Sequence, residues 1–330
     1  MWKYVLKRLL LMLVTFFIIC AICFVLIRIL PRELPQDINL AELIKARWEA
    51  LGYNKPLPVQ FWIYLKNIFT KWDFGTSWYI EKTIPVTEVL GKRLLPTVLV
   101  NFYSLIVSIP LGIALGIFAA IKKNKWQDQV ISIVVMLFVS IPSYIYAFLV
   151  QYIIFFKLRI IDTPTLYSIA DVGFDPEAAN AWQAYFTPQM FKSMIMPIIA
   201  LSFGEIAGLC RFTRAELTET LTQDYMLLAR TKGLTRGQAT RRHALKNAMV
   251  PILPMIISSF IGILGGSMII EQIFSIPGVG DLYIKSINSF DYDVFMLDTI
   301  FYVLIGLLAG IVVDISYGFI DPRIRMGAKK

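Results

Sequence analysis

The chain has 330 residues, 57% of them hydrophobic and only 17% charged, where a soluble globular domain carries about 25% charged residues. The apolar excess is gathered into long runs almost free of charge, which sets aside a soluble domain and is the pattern of a bilayer-spanning protein. The net charge of +9 sits in short basic clusters beside those runs, so it reads as membrane orientation rather than nucleic-acid binding.

The first apolar run follows Lys3, Lys7 and Arg8 and is too long for the hydrophobic part of a signal peptide, so it reads as an uncleaved span. It contains Cys20 and Cys23, which sit among Ile, Ala and Phe and read as small packing residues. Six segments are long enough to cross the hydrocarbon core as helices. They run over Leu9–Ile29, Leu94–Ile121, Gln129–Phe156, Met194–Cys210, Met249–Ile270 and Phe295–Phe319. Helices are required because lipid offers no partners to free backbone groups. The basic clusters before span 1, between spans 2 and 3 (Lys122, Lys123, Lys125), between spans 4 and 5, and after span 6 (Arg323, Arg325, Lys329, Lys330) all fall on one side. The positive-inside rule makes that side the cytoplasm, with both termini inside.

The fold class predicted is therefore an all-α polytopic membrane protein. Residues 1–30 form the N-terminal segment and first helix, residues 31–93 an extracytoplasmic domain, residues 94–320 the core of helices 2–6, and residues 321–330 a cytoplasmic tail. Within the outer domain, Gln60–Phe69 has the pattern of an amphipathic helix lying at the outer interface. Gly112/Gly116 in span 2 and Gly306/Gly310 in span 6 are small pairs four apart, spaced for close helix packing. Glu205 lies in the middle of span 4, where a carboxylate is costly and rarely faces lipid. Two roles stand open for it: lining a translocation path, or pairing with a group on a partner subunit. Asp298 and Asp314, near opposite ends of span 6, are expected to reach the interfaces.

Catalytic signatures are missing from the sequence. There is no phosphate-binding Gly-x-x-x-x-Gly-Lys-Ser/Thr loop, and His243, the one histidine, has no neighbours with which to build a metal site. The informative stretch is the cytoplasmic segment 211–248. Thr222-Gln223-Asp224-Tyr225 supplies a helix start, with Asp224 at the positive end of the dipole. The helix runs through Ala229, Arg230, Thr231 and Lys232 and stops at Gly233, a preferred residue past a C-cap. Thr235 and Gln238 have the spacing of a capping box that opens a second helix. Ala229 and Gly233 are four apart and share a face small enough for close approach by another protein. By physics alone this segment is equally a docking helix or a solvated basic loop.

The sequence Asp224-Tyr225 through Ala229-Arg230-Thr231-Lys232-Gly233-Leu234, followed by Arg242-His243-Ala244-Leu245-Lys246-Asn247-Ala248 and Pro251, resembles the coupling loop of ABC importer permeases. More narrowly it is similar to the first-permease type of the oligopeptide/dipeptide uptake family. Leu227 and Leu228 depart from the Glu-Ala of the general motif. Glu271 to Leu282, with Pro277, Gly278 and Gly280 suited to a tight turn, resembles the family's outer re-entrant loop, and Asp314-Ile315-Ser316-Tyr317 with Asp321-Pro322-Arg323 resembles its ending.

The resemblance implies a type I importer permease in the bacterial inner membrane, forming half of a pore with a second, similar permease. It further implies two cytoplasmic ABC ATPases that bind ATP and Mg, so that this chain carries no cofactor, and an extracytoplasmic peptide-binding protein. Asp224, Tyr225, Ala229, Arg230, Lys232 and Gly233 would couple to the ATPases. Peptides are the substrate class implied; nickel, glycosides or other small solutes are carried by relatives with the same plan. A stand-alone secondary transporter is the rival reading. Such proteins usually show paired broken helices, internal repeats or membrane-buried ion-binding residues, whereas this chain offers Glu205 alone and a helical cytoplasmic loop that a lone carrier would not need.

Overall fold

A computed structural model describes residues 2–30, 38–50 and 52–320. Among them the secondary structure is helical, with one isolated β-bridge between Thr76 and Pro85. The fold is all-α and polytopic. Among the described residues five helices are long and apolar enough to cross a membrane, or six if the bent pair 126–140 and 143–157 is counted as one span. The elements are α1 (Trp2–Ile29), α2 (Ile38–Ala50), α3 (Leu57–Lys71), α4 (Val86–Ile121), α5 (Trp126–Ser140), α6 (Ser143–Gln151), α7 (Pro188–Thr220), α8 (Asp224–Thr231), α9 (Arg236–Ala239), α10 (Leu245–Gly262), α11 (Met268–Ile273), α12 (Val279–Asn288) and α13 (Tyr292–Ile320). The tail 321–330 and Pro31–Arg32 lie outside the described residues.

Helices α1 and α4 begin earlier than spans 1 and 2 were expected to, at Trp2 and Val86, the latter inside the expected outer domain; spans 3, 4 and 5 differ for local reasons. Span 3 is not one rod: α5 and α6 meet at a 102° bend. Pro142 explains it, since it has no N–H to continue the helix and forces Ile141 into an extended conformation (φ −82°, ψ 128°). Span 5 ends earlier than Ile270. α10 closes in a 3-10 turn over Ile263–Gly265, and Gly266 follows with φ +63°. Span 4 extends beyond both its expected ends, from a Thr187 cap whose hydroxyl accepts from the Met190 N–H, through Arg211 to Thr220. The first turns of the supposed cytoplasmic loop are therefore a continuation of the membrane helix.

The chain divides into two compact units. One comprises Met1–Thr97, Leu264–Met268 and Pro277–Leu308. In it α3 packs Tyr64 against Cys20, Phe24 and Ile27 of α1 and Met296 and Ile300 of α13, while Val59, Trp62 and Phe69 stay exposed. Cys20 thus serves as core. A second cluster joins Val86, Val89 and Leu90 of α4 to Val279 and Leu282 of α12 and Val294 and Leu297 of α13. Asp298 is fully buried here rather than reaching an interface.

The other unit comprises Val98–Ile263, Ile269–Ile276 and Ala309–Lys330, and α7 is its axis, packed by α5, α6 and α10. Gly112 and Gly116 let α4 lie directly on α7: a Cβ at Gly116 would stand 2.6 Å from Thr213 Cβ and 2.7 Å from the Cys210 carbonyl oxygen. Gly306 and Gly310 behave differently, with nothing within 4 Å of a Cβ built on either. At the α5–α6 bend Phe138 stacks on Phe203 at 4.6 Å and Tyr146 meets that ring edge-on at 5.7 Å. Asp128 at the start of α5 takes both Arg214 Nη2, at 2.8 Å, and Arg214 Nε from α7.

Candidate functional site

The segment 224–248 folds into two short capped helices against the end of α7. Helix α8 is eight residues long, about 12 Å at 1.5 Å per residue. Asp224 occupies its first turn without making a side-chain cap, and the N-cap position is held by extended Gln223. Its far end is a Schellman motif: the Gly233 N–H donates to the Arg230 carbonyl at 3.0 Å and the Leu234 N–H to the Ala229 carbonyl at 3.3 Å. Gly233 takes φ +88° with open space around a hypothetical Cβ, so glycine is required there by the backbone and not by crowding. The capping box follows at once. Thr235 Oγ1 accepts from the Gln238 N–H at 3.3 Å, and Gln238 Oε1 from the Thr235 N–H at 3.0 Å.

Between α9 and α10, residues Thr240–Ala244 form a π-turn, the Leu245 N–H reaching back to the Thr240 carbonyl. In an α-helix, residues five apart point away from each other; the wider turn brings Ala239 onto the face of Ala244 and Ala248. All three are buried, together with Ala120, Leu217, Met226 and Ala229. Ala229 therefore faces its own chain, 6% exposed, and does not sit on an outward face with Gly233 as the spacing suggested. Tyr225 packs at the edge of the same cluster.

What α8 offers outward is Leu227 and Leu228, 66% and 55% exposed; Asp224, Arg230 and Lys232, close to them in the chain, are exposed as well. Adjacent leucines on a helix whose inward face is already filled by Met226 and Ala229 cannot turn in. The sequence carried that signal in its 3.6-residue period. Leaving both in water forgoes about 1.5–3 kcal/mol of burial each, and a paired apolar surface with a charged rim is the make-up of an interaction site.

Glu205 lies on α7 beside Gly204, whose Cβ would stand 3.3 Å from Tyr146 Oη. Glu205 is half-buried, and Ser259 of α10 is the polar side chain that acts on its carboxylate. Pro277, Gly278 and Gly280 do not form the tight turn expected of them. Gly278 is extended (φ −106°, ψ −177°) at the N-cap of α12, and Gly280 is inside that helix. The turn lies upstream, at the end of α11. There the Ser275 N–H donates to the Gln272 carbonyl and the Ile276 N–H to the Glu271 carbonyl at 3.2 and 2.8 Å, and Ser275 takes φ +50°. Buried Asp281, Asp291 and Asp298 were not singled out as site residues from the sequence.

Residues 112–326 match the family described as binding-protein-dependent transport system inner membrane component, and residues 1–85 match the N-terminal segment described for such membrane components. Among curated proteins, the chain is 35% identical to the dipeptide transport system permease protein DppB of Lactococcus lactis subsp. cremoris (strain MG1363), over 99% of this chain and all of that one. It is 33% identical to the glutathione transport system permease protein GsiC of Salmonella choleraesuis (strain SC-B67) and 31% identical to that of Escherichia coli (strain K12), over 98% of this chain and 99% of each relative.

Proposed function

Because the chain belongs to the family of binding-protein-dependent transport system inner membrane components, we propose that it forms half of the translocation path of an ATP-driven importer for short peptides. It is a permease subunit of an ABC importer and a multi-pass membrane protein. The peptide substrate class is supported by the dipeptide and glutathione systems named for its relatives. In this reading both termini and the segment 211–248 are cytoplasmic, following the basic clusters. A second permease completes the pore, a solute-binding protein delivers peptide from outside, and two ABC ATPases hold the ATP and Mg. The chain itself carries out no catalysis.

The observation that carries the mechanism is α8. Its outward leucines give an ATPase groove something to grip, and its inward Met226 and Ala229 pack it against α9, α10 and the end of α7. A displacement of α8 is then passed directly into two membrane helices, because close-packed contacts shift as a unit. Asp224, Arg230 and Lys232 form the charged rim, Gly233 sets the turn into the next helix, and Ala229 and Tyr225 act by anchoring. Glu205, between α7 and α10, is the polar group that such a shift would move in the path.

The test is Leu227→Asp and Leu228→Asp, which put charge on the contact surface without touching the core. ATP hydrolysis stimulated by the loaded binding protein should be lost in the assembled transporter, while the melting temperature of the isolated chain stays within the range of a surface change, about ±0.5 kcal/mol. Full stimulated hydrolysis in both variants would exclude α8 as the coupling element. In proteoliposomes, uptake of a labelled dipeptide should be competed by other dipeptides and not by free amino acids.

A further inference from the structure

A small cavity in the first unit is accounted for neither by the coupling role nor by the transport reading. It is lined by Trp48, Tyr53, Trp78 and Tyr292 with Asp291 and Asp293, and its volume is about 30 Å³, room for one compact polar group. Asp291 is 1% exposed. Its Oδ2 accepts from Ser77 Oγ at 2.7 Å and from the backbone N–H groups of Trp78, Tyr79 and Ile80 at 3.1, 3.0 and 3.2 Å. Its other oxygen, Oδ1, has no hydrogen-bond partner among the described residues. A buried carboxylate oxygen without a donor is costly and marks a place where a donor belongs.

The charges around the cavity do not balance. Arg47 Nη2 binds both oxygens of Asp73, at 2.9 and 2.7 Å, and Arg28, stacked over the Tyr53 ring at 3.6 Å, acts on Asp293 through space. Two guanidiniums thus face three carboxylates, and the surplus negative charge falls to Asp291. The missing group is therefore a single positive charge with N–H donors, small enough for the space and compatible with aromatic walls. A guanidinium is too large. An alkali ion would call for a shell of oxygens, where this wall is largely rings. An ammonium meets all the conditions, since aromatic faces attract it electrostatically. We propose that this cavity binds a primary ammonium group, from a lysine side chain or a polypeptide amino terminus, between Asp291 and the aromatic rings. The assignment does not depend on the peptide reading above.

The full-length chain in lipid nanodiscs can be melted in the presence of methylammonium chloride, with sodium chloride at equal ionic strength as reference. A ligand that binds the folded state alone raises the melting temperature in a saturable way, and methylammonium should do so where sodium does not. Asp291→Asn keeps an acceptor for the 77–80 turn and removes the charge, so it should weaken the response at least about tenfold. Asp291 also supports the fold, so Trp78→Leu is the second variant. It keeps both carboxylates and the backbone donors, takes away one aromatic face, and should weaken the response about three- to tenfold. No saturable rise in the wild-type chain beyond that with sodium would overturn the proposal, as would a rise unchanged in both variants. In the assembled transporter, carbodiimide coupling followed by peptide mapping separates the sources. An amide from Asp291 or Asp293 to a lysine identifies a docked subunit, and one to an α-amine identifies a peptide terminus. Recovery of neither overturns a polypeptide amine as the occupant.

Discussion

The segment from Asp224 to Ala248 and the segment from Val279 to Leu297 each lead a short helix into a long span, and they are held by opposite means. The first is closed by its own near neighbours: a Schellman end at Gly233, a capping box three residues apart, and alanines brought into line by one π-turn. The second is held by groups far away in sequence. Asp291 collects its four donors from residues 77–80, more than 200 positions earlier, and the N–H of Val279 at the start of α12 donates to Thr97 Oγ1 at 2.9 Å. A part proposed to move as one piece gains from local closure. A part assembled from distant strands of chain needs strong polar clasps, because each must offset a long loop's entropy.

The sharpest way to break this contrast is Asp291→Ala. It strands three backbone N–H groups and a hydroxyl that are now satisfied by one buried oxygen, each costing about 1–3 kcal/mol if left without a partner. A loss of at least about 3 kcal/mol is expected, read as a large drop in melting temperature with early proteolysis in the segment 72–85. Asp291→Asn should recover much of it by keeping an acceptor. Equal loss in both variants would mean that charge, not hydrogen bonding, holds the segment.

How much of this was legible follows from where the signals sit. The all-α class, the crossings and the capped pair around Gly233 and Thr235 are local, and a linear sequence shows them. The bend at Pro142 was equally visible in principle, but the apolar run continues unbroken through it and hydropathy alone reads one span. Ala229 was placed on the right helix and the wrong face, because the four-residue spacing to Gly233 was read without the inward pull of Met226 one turn away. The turn after α11 was assigned to glycines, whereas Ser275 carries the positive φ. Nothing in the sequence pairs Asp291 with Ser77, since such a contact has no periodicity to betray it.

A second test compares the two glycine pairs. Gly116→Ala places a methyl group 2.6 Å from Thr213 Cβ and 2.7 Å from a backbone oxygen, and α4 must move off α7 at a cost of about 1–3 kcal/mol. Gly310→Ala meets nothing within 4 Å in this chain and removes a helix-interior glycine, so the isolated chain should gain about 0.5–1 kcal/mol. If the gain turns into a loss only in the assembled transporter, that face of α13 is covered by another subunit.

The smallest expected effects concern the two helix ends that share one geometry. Gly233 and Ser275 both sit at the residue after a C-cap in a Schellman turn, with φ +88° and +50°. Gly233→Ala should cost about 1 kcal/mol, since an L side chain in the left-handed region is strained. Ser275→Gly should run the other way, relieving strain while adding freedom to the unfolded chain, for a net gain of no more than about 1 kcal/mol. Gly233→Asn separates backbone from volume. Asparagine is larger than alanine but tolerates positive φ, its short polar side chain bonding locally. With open space around a Cβ at this position, the backbone account ranks Asn as less damaging than Ala by melting temperature. The reverse order would mean that something fills the space beside Gly233, and the natural occupant of that space in the assembled transporter is the ATPase surface that Leu227 and Leu228 are proposed to meet.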